Sequence, residues 1–220
     1  ERAYNREHRI AETLQNSLKH PVPYRIDDFE FETVYKAALV EARVGGDFYD
    51  VFQIDDEKIW VVVGDVSGKG LAAAVQVATA KYSIRCRAQD CADPSLVLSQ
   101  VNNSVVQDTN VEGFVTIFLG FLDREHKTLT YANGGHSPAV LWDAAEQTAI
   151  LMEPTGPVLG VDRGLTYTQR TVQLHPLDEL LLATDGLYEI RFDNHPLGIC
   201  RLLAEYAGLK KAGVDSAAQL

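Results

Sequence analysis

The sequence predicts an α+β fold, because its helix-like and strand-like segments fall in separate parts of the chain. Two helices are expected between about residues 70 and 107, and the segment 113–184 reads as a series of strands separated by turns. A doubly wound parallel sheet would instead alternate strands with helices. The chain has 220 residues, of which 46% are hydrophobic, which is enough for a sizeable core in one large domain or two small ones.

The first expected element is an amphipathic helix over residues 3–18, which two prolines end. Its apolar stripe consists of Ile10, Leu14 and Leu18. The stripe fits a helix that packs on its own domain, and it equally fits a signalling linker or a dimer helix. We therefore expect a linker or coupling helix over residues 1–20, followed by one domain over residues 21–220.

A strand over 29–38 and then a hairpin are expected next. The segments 48–54 (FYDVFQI) and 58–63 (KIWVVV) are strand-like and are joined by an acidic turn. A glycine-rich turn then leads into an alanine-rich helix over about 70–90. Asp93, which precedes a proline, is the expected N-cap of a second helix.

The second half of the chain predicts six strands and a final helix. Turn residues such as Asn-Gly-Gly at 133–135 separate the strands. The expected strands are 113–122, 128–133, 138–142, 148–152, 166–174 and 179–184, and the helix is expected over about 197–208.

The composition argues against several classes of protein. The formal net charge is −11 and Lys and Arg form no extended cluster, so a nucleic-acid partner is not expected. No apolar run approaches the roughly 18 residues that a membrane span needs, so membrane insertion is not expected either. Three cysteines without C-x-x-C spacing, together with the lack of a signal peptide, predict a reducing, cytoplasmic location.

Three aspartates lie beside glycines at the ends of strand-like segments. They occur in the pairs Gly46-Asp47, Gly64-Asp65 and Asp185-Gly186. Glycine permits close backbone approach, and a strand end holds the carboxylate on a rigid scaffold. One such turn is common, but three carboxylates that converge would repel each other unless a cation compensates them. Oxygen ligands without a Cys or His cluster favour Mg²⁺ or Mn²⁺ over Zn²⁺.

Other interpretations of these turns fit the residues less well. VGGDFYD (44–50) departs from the GGDEF signature of diguanylate cyclases, because Phe-Tyr stands where Glu-Phe would be. GDVSGKG (64–70) departs from a P-loop, which has four residues between its glycines and Ser or Thr after Lys. Ser67 lacks the G-x-S-x-G setting of a nucleophile. His136 is the best candidate base, although a His after Gly-Gly is more typical of a structural hydrogen bond.

Six motifs taken together resemble the SpoIIE-type serine/threonine phosphatases, the bacterial branch of the metal-dependent protein phosphatase 2C-like superfamily. The motifs occur in the order that the family shows. They are VGGDFYDVF (44–52), VVVGDVSGKGLAAA (61–74), FVTIFLGFLD (114–123), LTYANGGHSPAVL (129–141), GPVLGV (156–161) and ELLLATDGLYEI (179–190).

The resemblance implies a four-layer αββα sandwich, in which helices flank two antiparallel sheets, with two Mn²⁺ or Mg²⁺ ions in a cleft at one end. Carried over by motif, Asp47 and Asp65 would be metal ligands, and Asp65 would bridge both ions. The Val66 carbonyl would serve one ion, and Asp185 would complete the shell of the other. Residues that would support these ligands are Gly46, Asp50, His136 and Gly186, of which Asp50 could instead be purely structural.

The chain departs from the family pattern near its end. The family's last strand carries an Asp-Asp motif whose aspartate also binds metal, and here the sequence stops within what resembles the preceding helix. Asp215 is not in such a strand and receives no role, so the domain is expected to lack that strand in this chain. Tyr188 is a smaller departure, at a position where the family often has Thr or Val.

The expected activity is hydrolysis of phosphoserine or phosphothreonine on a protein, by a water that two metal ions activate for in-line attack on phosphorus. The resemblance suggests a phosphorylated anti-anti-sigma factor (a STAS domain) as substrate. It also suggests an upstream sensor or receiver domain, and the first helix permits a homodimer. The alternative is a pseudophosphatase that binds a signalling partner through the same fold. A third interpretation, an unrelated metal-binding or structural α+β domain, would make the ordered motifs a coincidence.

Overall fold

The computed structural model describes residues 21–34, 45–55, 58–107, 113–192 and 195–214, together with Ile10, Thr13 and Leu18. The helices after residue 20 are α1 (Leu71–Ala88), α2 (Pro94–Gln107), α3 (Asp185–Tyr188) and α4 (Gly198–Lys211). The strands are β1 (Arg25–Ile26), β2 (Phe29–Glu30), β3 (Phe48–Gln53), β4 (Lys58–Val66), β5 (Val115–Asp123), β6 (Thr128–Gly134), β7 (Ala139–Asp143), β8 (Thr148–Met152), β9 (Arg170–Gln173), β10 (Glu179–Leu181), β11 (Arg191–Phe192) and β12 (His195–Pro196).

Two antiparallel sheets form the centre of the fold. The larger sheet has the strand order β3-β4-β5-β6-β9, and the smaller has the order β10-β7-β8. In the larger sheet β4 pairs with β5 along its whole length, from Lys58 opposite Asp123 to Val66 opposite Val115. The chain passes from the larger sheet to the smaller one between β6 and β7, so the residues of this crossing lie where the two sheets meet.

The strand β4 shows why its sequence reads as an uninterrupted apolar run. Ile59 and Val61 belong to the cluster between the two sheets, whereas Trp60 and Val62 belong to the cluster under the helices. Successive side chains of a strand point to opposite faces, and here both faces are covered. Burial of an apolar side chain as complete as that of Ile59, which is 0% exposed, stabilises the fold by about 1.5–3 kcal/mol.

Helices cover the outer faces of both sheets. Apolar residues of α1 and α2, such as Ile84 and Leu98, pack in one cluster with the outer face of the larger sheet. On the other side, Tyr206 of α4 packs with Trp142 of β7, with the ring centroids 6.4 Å apart. The predicted α+β sandwich with helices outside two antiparallel sheets is therefore confirmed.

The prediction of a strand over 29–38 is confirmed at Phe29–Glu30 and is wrong over residues 31–34. Only Phe29–Glu30 is strand, paired with β1 across a tight turn in which Asp27 has φ 50°, and residues 31–34 are not in a strand. Phe29 and Phe31 instead pack against the cluster between the sheets. Packing therefore accounts for the apolar alternation without a longer strand, and residues 35–44 lie outside the described residues.

Most of residues 1–20 and all of 215–220 lie outside the described residues, including Leu14 and Asp215. Leu18 is helical and only 6% exposed, and it belongs to the cluster under the helices, whereas Ile10 is 44% exposed. A linker or dimer role for this helix stays a prediction. Among the described residues, no helix combines the length and the apolar character that crossing a bilayer requires.

Candidate metal centre

Three aspartates from distant parts of the chain converge at one end of the two sheets. Asp47 precedes β3, Asp65 is the second-last residue of β4, and Asp185 opens α3 shortly after β10. Each offers one carboxylate oxygen, and these three oxygens all lie within 4.8 Å of one another. Asp65 therefore lies in the larger sheet, Asp47 lies directly before a strand of that sheet, and Asp185 follows the smaller sheet. The structure thus brings together the three aspartates that the sequence singled out.

Gly46 makes the close approach of Asp47 to Asp65 possible. A Cβ atom on Gly46 would lie 2.1 Å from the Val66 carbonyl oxygen and 2.7 Å from Asp65 Oδ1. Both oxygens therefore border the same small space beside Gly46. The Val66 N–H donates a hydrogen bond to the Gly46 carbonyl at 3.2 Å, which ties this turn to the end of β4. Gly186 has no such constraint, because the nearest atom to a Cβ there is Thr184 Oγ1 at 4.0 Å.

The protein environment disfavours the charged form of this acidic group. Burial, followed by the charges of Asp47 and Asp185, raises the pKa of Asp65 to about 7, although the Val66 N–H opposes the rise. Burial also raises the pKa of Asp47, with a smaller contribution from Asp185 and opposition from a Thr184 hydrogen bond. Three ionised carboxylates at this spacing need a counter-charge, and a divalent cation is the counter-charge that oxygen donors suit best.

An unpartnered polar atom supports the same interpretation. Asp47 Oδ1 is buried and makes no hydrogen bond within the described part of the chain. Leaving such an acceptor unsatisfied costs about 1–3 kcal/mol, which a ligand at this position would offset. The donor set of three carboxylates and the neighbouring Val66 carbonyl consists of hard oxygens, and this set fits Mn²⁺ or Mg²⁺.

Asp50 lies in a different environment and does not join the three aspartates. It is 1% exposed, and Arg85 binds both its oxygens, with Nε 2.7 Å from Oδ2 and Nη2 2.9 Å from Oδ1. Lys81 Nζ, itself on a 2% exposed residue, lies 3.6 Å from Oδ2 and donates to the carbonyls of Leu18 and Tyr49. Of the two roles that the sequence left open for Asp50, the structural one therefore fits: it pairs β3 with α1.

His136 is buried in the crossing between the two sheets. It is 3% exposed, and its backbone N–H donates to Asn133 Oδ1 at 2.7 Å. The ring nitrogen Nδ1 lies 2.9 Å from Thr116 Oγ1. Burial lowers its pKa to about 4, against the opposing effects of the Ala183 backbone and the Asp185 carboxylate. The ring is therefore neutral at pH 7. The contact between Nδ1 and Thr116 fits a structural hydrogen bond for this histidine. Nε2, in contrast, has no partner among the described residues.

Sequence reasoning missed several groups around the centre. Thr116 faces Asp65 across β4 and β5, and its hydroxyl donates to the Asp65 carbonyl at 3.4 Å. The Tyr188 hydroxyl donates to the Ala183 carbonyl, within the turn that presents Asp185. No local pattern marks Thr116, because its proximity to Asp65 results from strand register. In the sequence, Tyr188 is marked only by its departure from the family pattern.

Comparisons with known proteins identify the family and the fold of this chain. Residues 55–220 match the family model of stage II sporulation protein E (SpoIIE). The chain is 32% identical over 185 residues to the phosphoserine phosphatase RsbU of Bacillus subtilis, which covers 84% of this chain and 54% of RsbU. The chain thus spans about half the length of that relative.

Solved structures share the fold. The RsbU and RsbW domains of Rv1364c from Mycobacterium tuberculosis align with a TM-score of 0.63 at 29% identity, covering 75% of this chain and 45% of that one. The SiaA-PP2C domain of Pseudomonas aeruginosa aligns with a TM-score of 0.66 at 19% identity, covering 80% of this chain and 68% of that one, and it supports the fold alone. The chain belongs to the SpoIIE family.

Proposed function

We propose that this chain is a metal-dependent protein serine/threonine phosphatase that hydrolyses phosphoserine or phosphothreonine on a signalling protein. The observation that carries the proposal is the convergence of Asp47, Asp65 and Asp185, whose oxygens lie within 4.8 Å of one another. A stable fold has no need to gather three acids from two sheets, and their mutual repulsion works against it. Membership of the SpoIIE family, with a phosphoserine phosphatase among the relatives, supports the reaction class.

The residues that would hold two Mn²⁺ or Mg²⁺ ions are Asp47, Asp65, the Val66 carbonyl and Asp185. When bound, such ions supply an activated water and neutralise charge on the phosphoryl group. The chain's own contribution is to hold the oxygens at fixed positions. Asp47 is held directly before β3 and Asp65 near the end of β4, and the turn at Gly46 lies in close contact with the Val66 backbone.

The arrangement does not favour a covalent phosphoenzyme. The Ser67 hydroxyl accepts a hydrogen bond from the Phe114 N–H at 2.7 Å, and it is not paired with His136. His136 Nδ1 is engaged by Thr116 instead. A serine nucleophile needs a base within hydrogen-bond reach, and these two described residues do not provide such a pair. Direct attack of water on phosphorus fits the site better.

The proposed substrate is the one that the family resemblance suggests, a phosphorylated anti-anti-sigma STAS protein. Similarity to the phosphoserine phosphatase RsbU, and to a protein with RsbU and RsbW domains, supports a phosphoserine group as the one hydrolysed. An upstream sensor or receiver domain, a homodimer through the first helix and a cytoplasmic location are further parts of the proposal. The pseudophosphatase alternative predicts binding of the same partner without turnover.

The test is phosphate release by the full-length protein from p-nitrophenyl phosphate and from a phosphoserine STAS protein. Reactions would contain Mn²⁺ or EDTA, and Asp65→Asn would be assayed beside the wild type. Turnover that needs Mn²⁺ and is lost in Asp65→Asn is the expected result. No turnover on either substrate with Mn²⁺ present would overturn the phosphatase proposal, and binding of the STAS protein without turnover would establish the pseudophosphatase.

A further inference from the structure

Two apolar side chains are exposed beside the candidate metal centre. Phe114 directly precedes β5 and is 41% exposed, and Val161 lies between β8 and β9 and is 58% exposed. Apolar residues scattered singly over a protein surface are normal and need no explanation. These two differ in their position next to the centre, and in the hydrogen bonds that hold the backbone presenting each of them. We call Phe114 and Val161 together the apolar patch.

The register of β5 places Phe114 next to the three aspartates. Thr116 lies directly opposite Asp65 in the ladder of β4 and β5, so the two share one face of the sheet. Phe114 precedes Thr116 by two positions, which places it on that same face, about 7 Å further along the strand. Ser67 fixes Phe114 there, because its N–H donates to the Phe114 carbonyl at 2.9 Å and its Oγ accepts the Phe114 N–H at 2.7 Å.

A buried asparagine holds Val161 beside Phe114. A Cβ atom on Gly160 would lie 3.7 Å from Phe114 Cα, so the loop before Val161 is in contact with the Phe114 backbone. Asn102, which is 0% exposed, accepts the Gly160 N–H at 2.9 Å and donates to the Asp162 carbonyl at 2.9 Å. These two bonds flank Val161. A side chain of the core therefore fixes a loop whose own apolar side chain remains exposed.

The position of the apolar patch suits contact with a polypeptide that presents its phosphoserine to the three aspartates. An extended chain rises about 3.3 Å per residue, so a residue about two positions from the phosphoserine would reach Phe114. Aromatic side chains held on a rigid scaffold are the typical anchors of protein recognition. Apolar side chains contribute nothing to the binding of the phosphate itself, so their contribution here would be to the flanking residues.

We propose that Phe114 and Val161 bind apolar residues that flank the phosphoserine of the protein substrate, and so help to select the sequence around it. The inference rests on the proposed phosphatase function and adds a specificity determinant to it. The patch takes no part in metal binding or in the attack on phosphorus. Its effect is on which phosphoserine segments bind productively.

The test uses two phosphoserine peptides that differ only beside the phosphoserine, with two leucines on each side in one and two glycines in the other. The full-length protein is assayed with Mn²⁺, and the measured quantity is the ratio of the two kcat/KM values. We expect the wild type to favour the leucine peptide by about tenfold or more, because the patch buries a leucine side chain. Phe114→Ala should bring the ratio to within about twofold of 1, and Val161→Ser should lower it in the same direction.

The matched control is Leu177→Ala, which also removes an exposed apolar side chain. Leu177 is 83% exposed and precedes β10, whereas Asp185 follows β10, so the control lies at the other end of that strand and should leave both rates unchanged. Circular dichroism checks the folding of each variant, and Val161→Ser carries the test if Phe114→Ala does not fold.

Several outcomes would overturn the inference. They are a wild-type ratio near 1, and an unchanged ratio in folded Phe114→Ala or in Val161→Ser. Sedimentation of the wild type and Phe114→Ala tests a different occupant: loss of self-association with an unchanged ratio would show that the patch joins two copies of the chain, against the inference. Turnover of neither peptide by the wild type would overturn the proposed function, and the inference with it.

Discussion

Substituting Gly46 by alanine should damage both the stability and the metal affinity of the domain. The added Cβ would lie 2.1 Å from the Val66 carbonyl oxygen, 2.7 Å from Asp65 Oδ1 and 2.8 Å from the Val66 nitrogen. Real Cβ contacts essentially never fall under 3.0 Å, so the turn would have to move away from the Val66 oxygen by at least 0.9 Å (3.0 minus 2.1). Two of the three obstructing atoms are backbone, which cannot rotate aside.

The magnitude follows from what this displacement breaks. The hydrogen bond from the Val66 N–H to the Gly46 carbonyl is 3.2 Å long and would stretch beyond useful length, a loss of about 1 kcal/mol. Overpacking at a rigid contact adds about 1–3 kcal/mol. We therefore expect Gly46→Ala to lower the free energy of unfolding of the metal-free protein by about 2–4 kcal/mol, measured by urea denaturation.

The matched control is the same chemical change at Gly208 in α4, where nothing lies within 4 Å of an added Cβ. Alanine is the better helix former, so Gly208→Ala should raise the free energy of unfolding by about 0.5–1 kcal/mol. The two substitutions thus have opposite expected signs. If Gly46→Ala unfolds at the wild-type urea concentration while Gly208→Ala behaves as expected, the close approach at Gly46 is not a constraint and the reasoning fails.

Three further predictions concern charge and hydrogen bonding. The pKa of Asp65 is about 7 in the folded state, above its unfolded value of 3.8. Its contribution to the stability of the metal-free protein is therefore present below pH 3.8 and is lost as the pH rises through about 7. Urea denaturation measured between about pH 5 and pH 8 should show this fall in the free energy of unfolding, and Asp65→Asn should flatten it. Asp50→Asn leaves the buried Lys81 without its counter-charge and should cost about 3–5 kcal/mol in the same assay, whereas a surface ion pair would cost under about 1 kcal/mol. Tyr188→Phe removes the donor to the Ala183 carbonyl and should cost about 1 kcal/mol, and an unchanged thermal midpoint would contradict that bond.

Much of this arrangement could be predicted from sequence, because its signals are local. The hairpin of β3 and β4 follows from two apolar runs around an acidic turn. Asp93 caps α2 as expected, since its Oδ1 accepts the N–H groups of Ser95 and Leu96 at 2.9 and 3.0 Å. The family motifs imply that Asp47, Asp65 and Asp185 converge, and in the structure one carboxylate oxygen of each lies within 4.8 Å of the others.

The remaining features depend on contacts between residues that are far apart in the chain. Asp50 pairs with Arg85, which lies 35 positions later in the chain. Its position near Asp47 in the sequence therefore does not show whether its carboxylate supports a metal ligand or is structural. The contact between Thr116 and His136 depends on the register of β5 and on the path of the β6–β7 crossing. Neither leaves a periodic or compositional trace in the sequence.

The metal centre is tested most directly by a crystal structure of the protein soaked with Mn²⁺, with anomalous diffraction measured at the manganese edge. We expect anomalous peaks between Asp47, Asp65 and Asp185, at distances of about 2.0–2.3 Å from their carboxylate oxygens. The same soak of Asp65→Asn crystals should lose or weaken those peaks. A wild-type map with no peak among the three aspartates, or with peaks only elsewhere on the protein, would contradict the claim that these carboxylates form a metal centre.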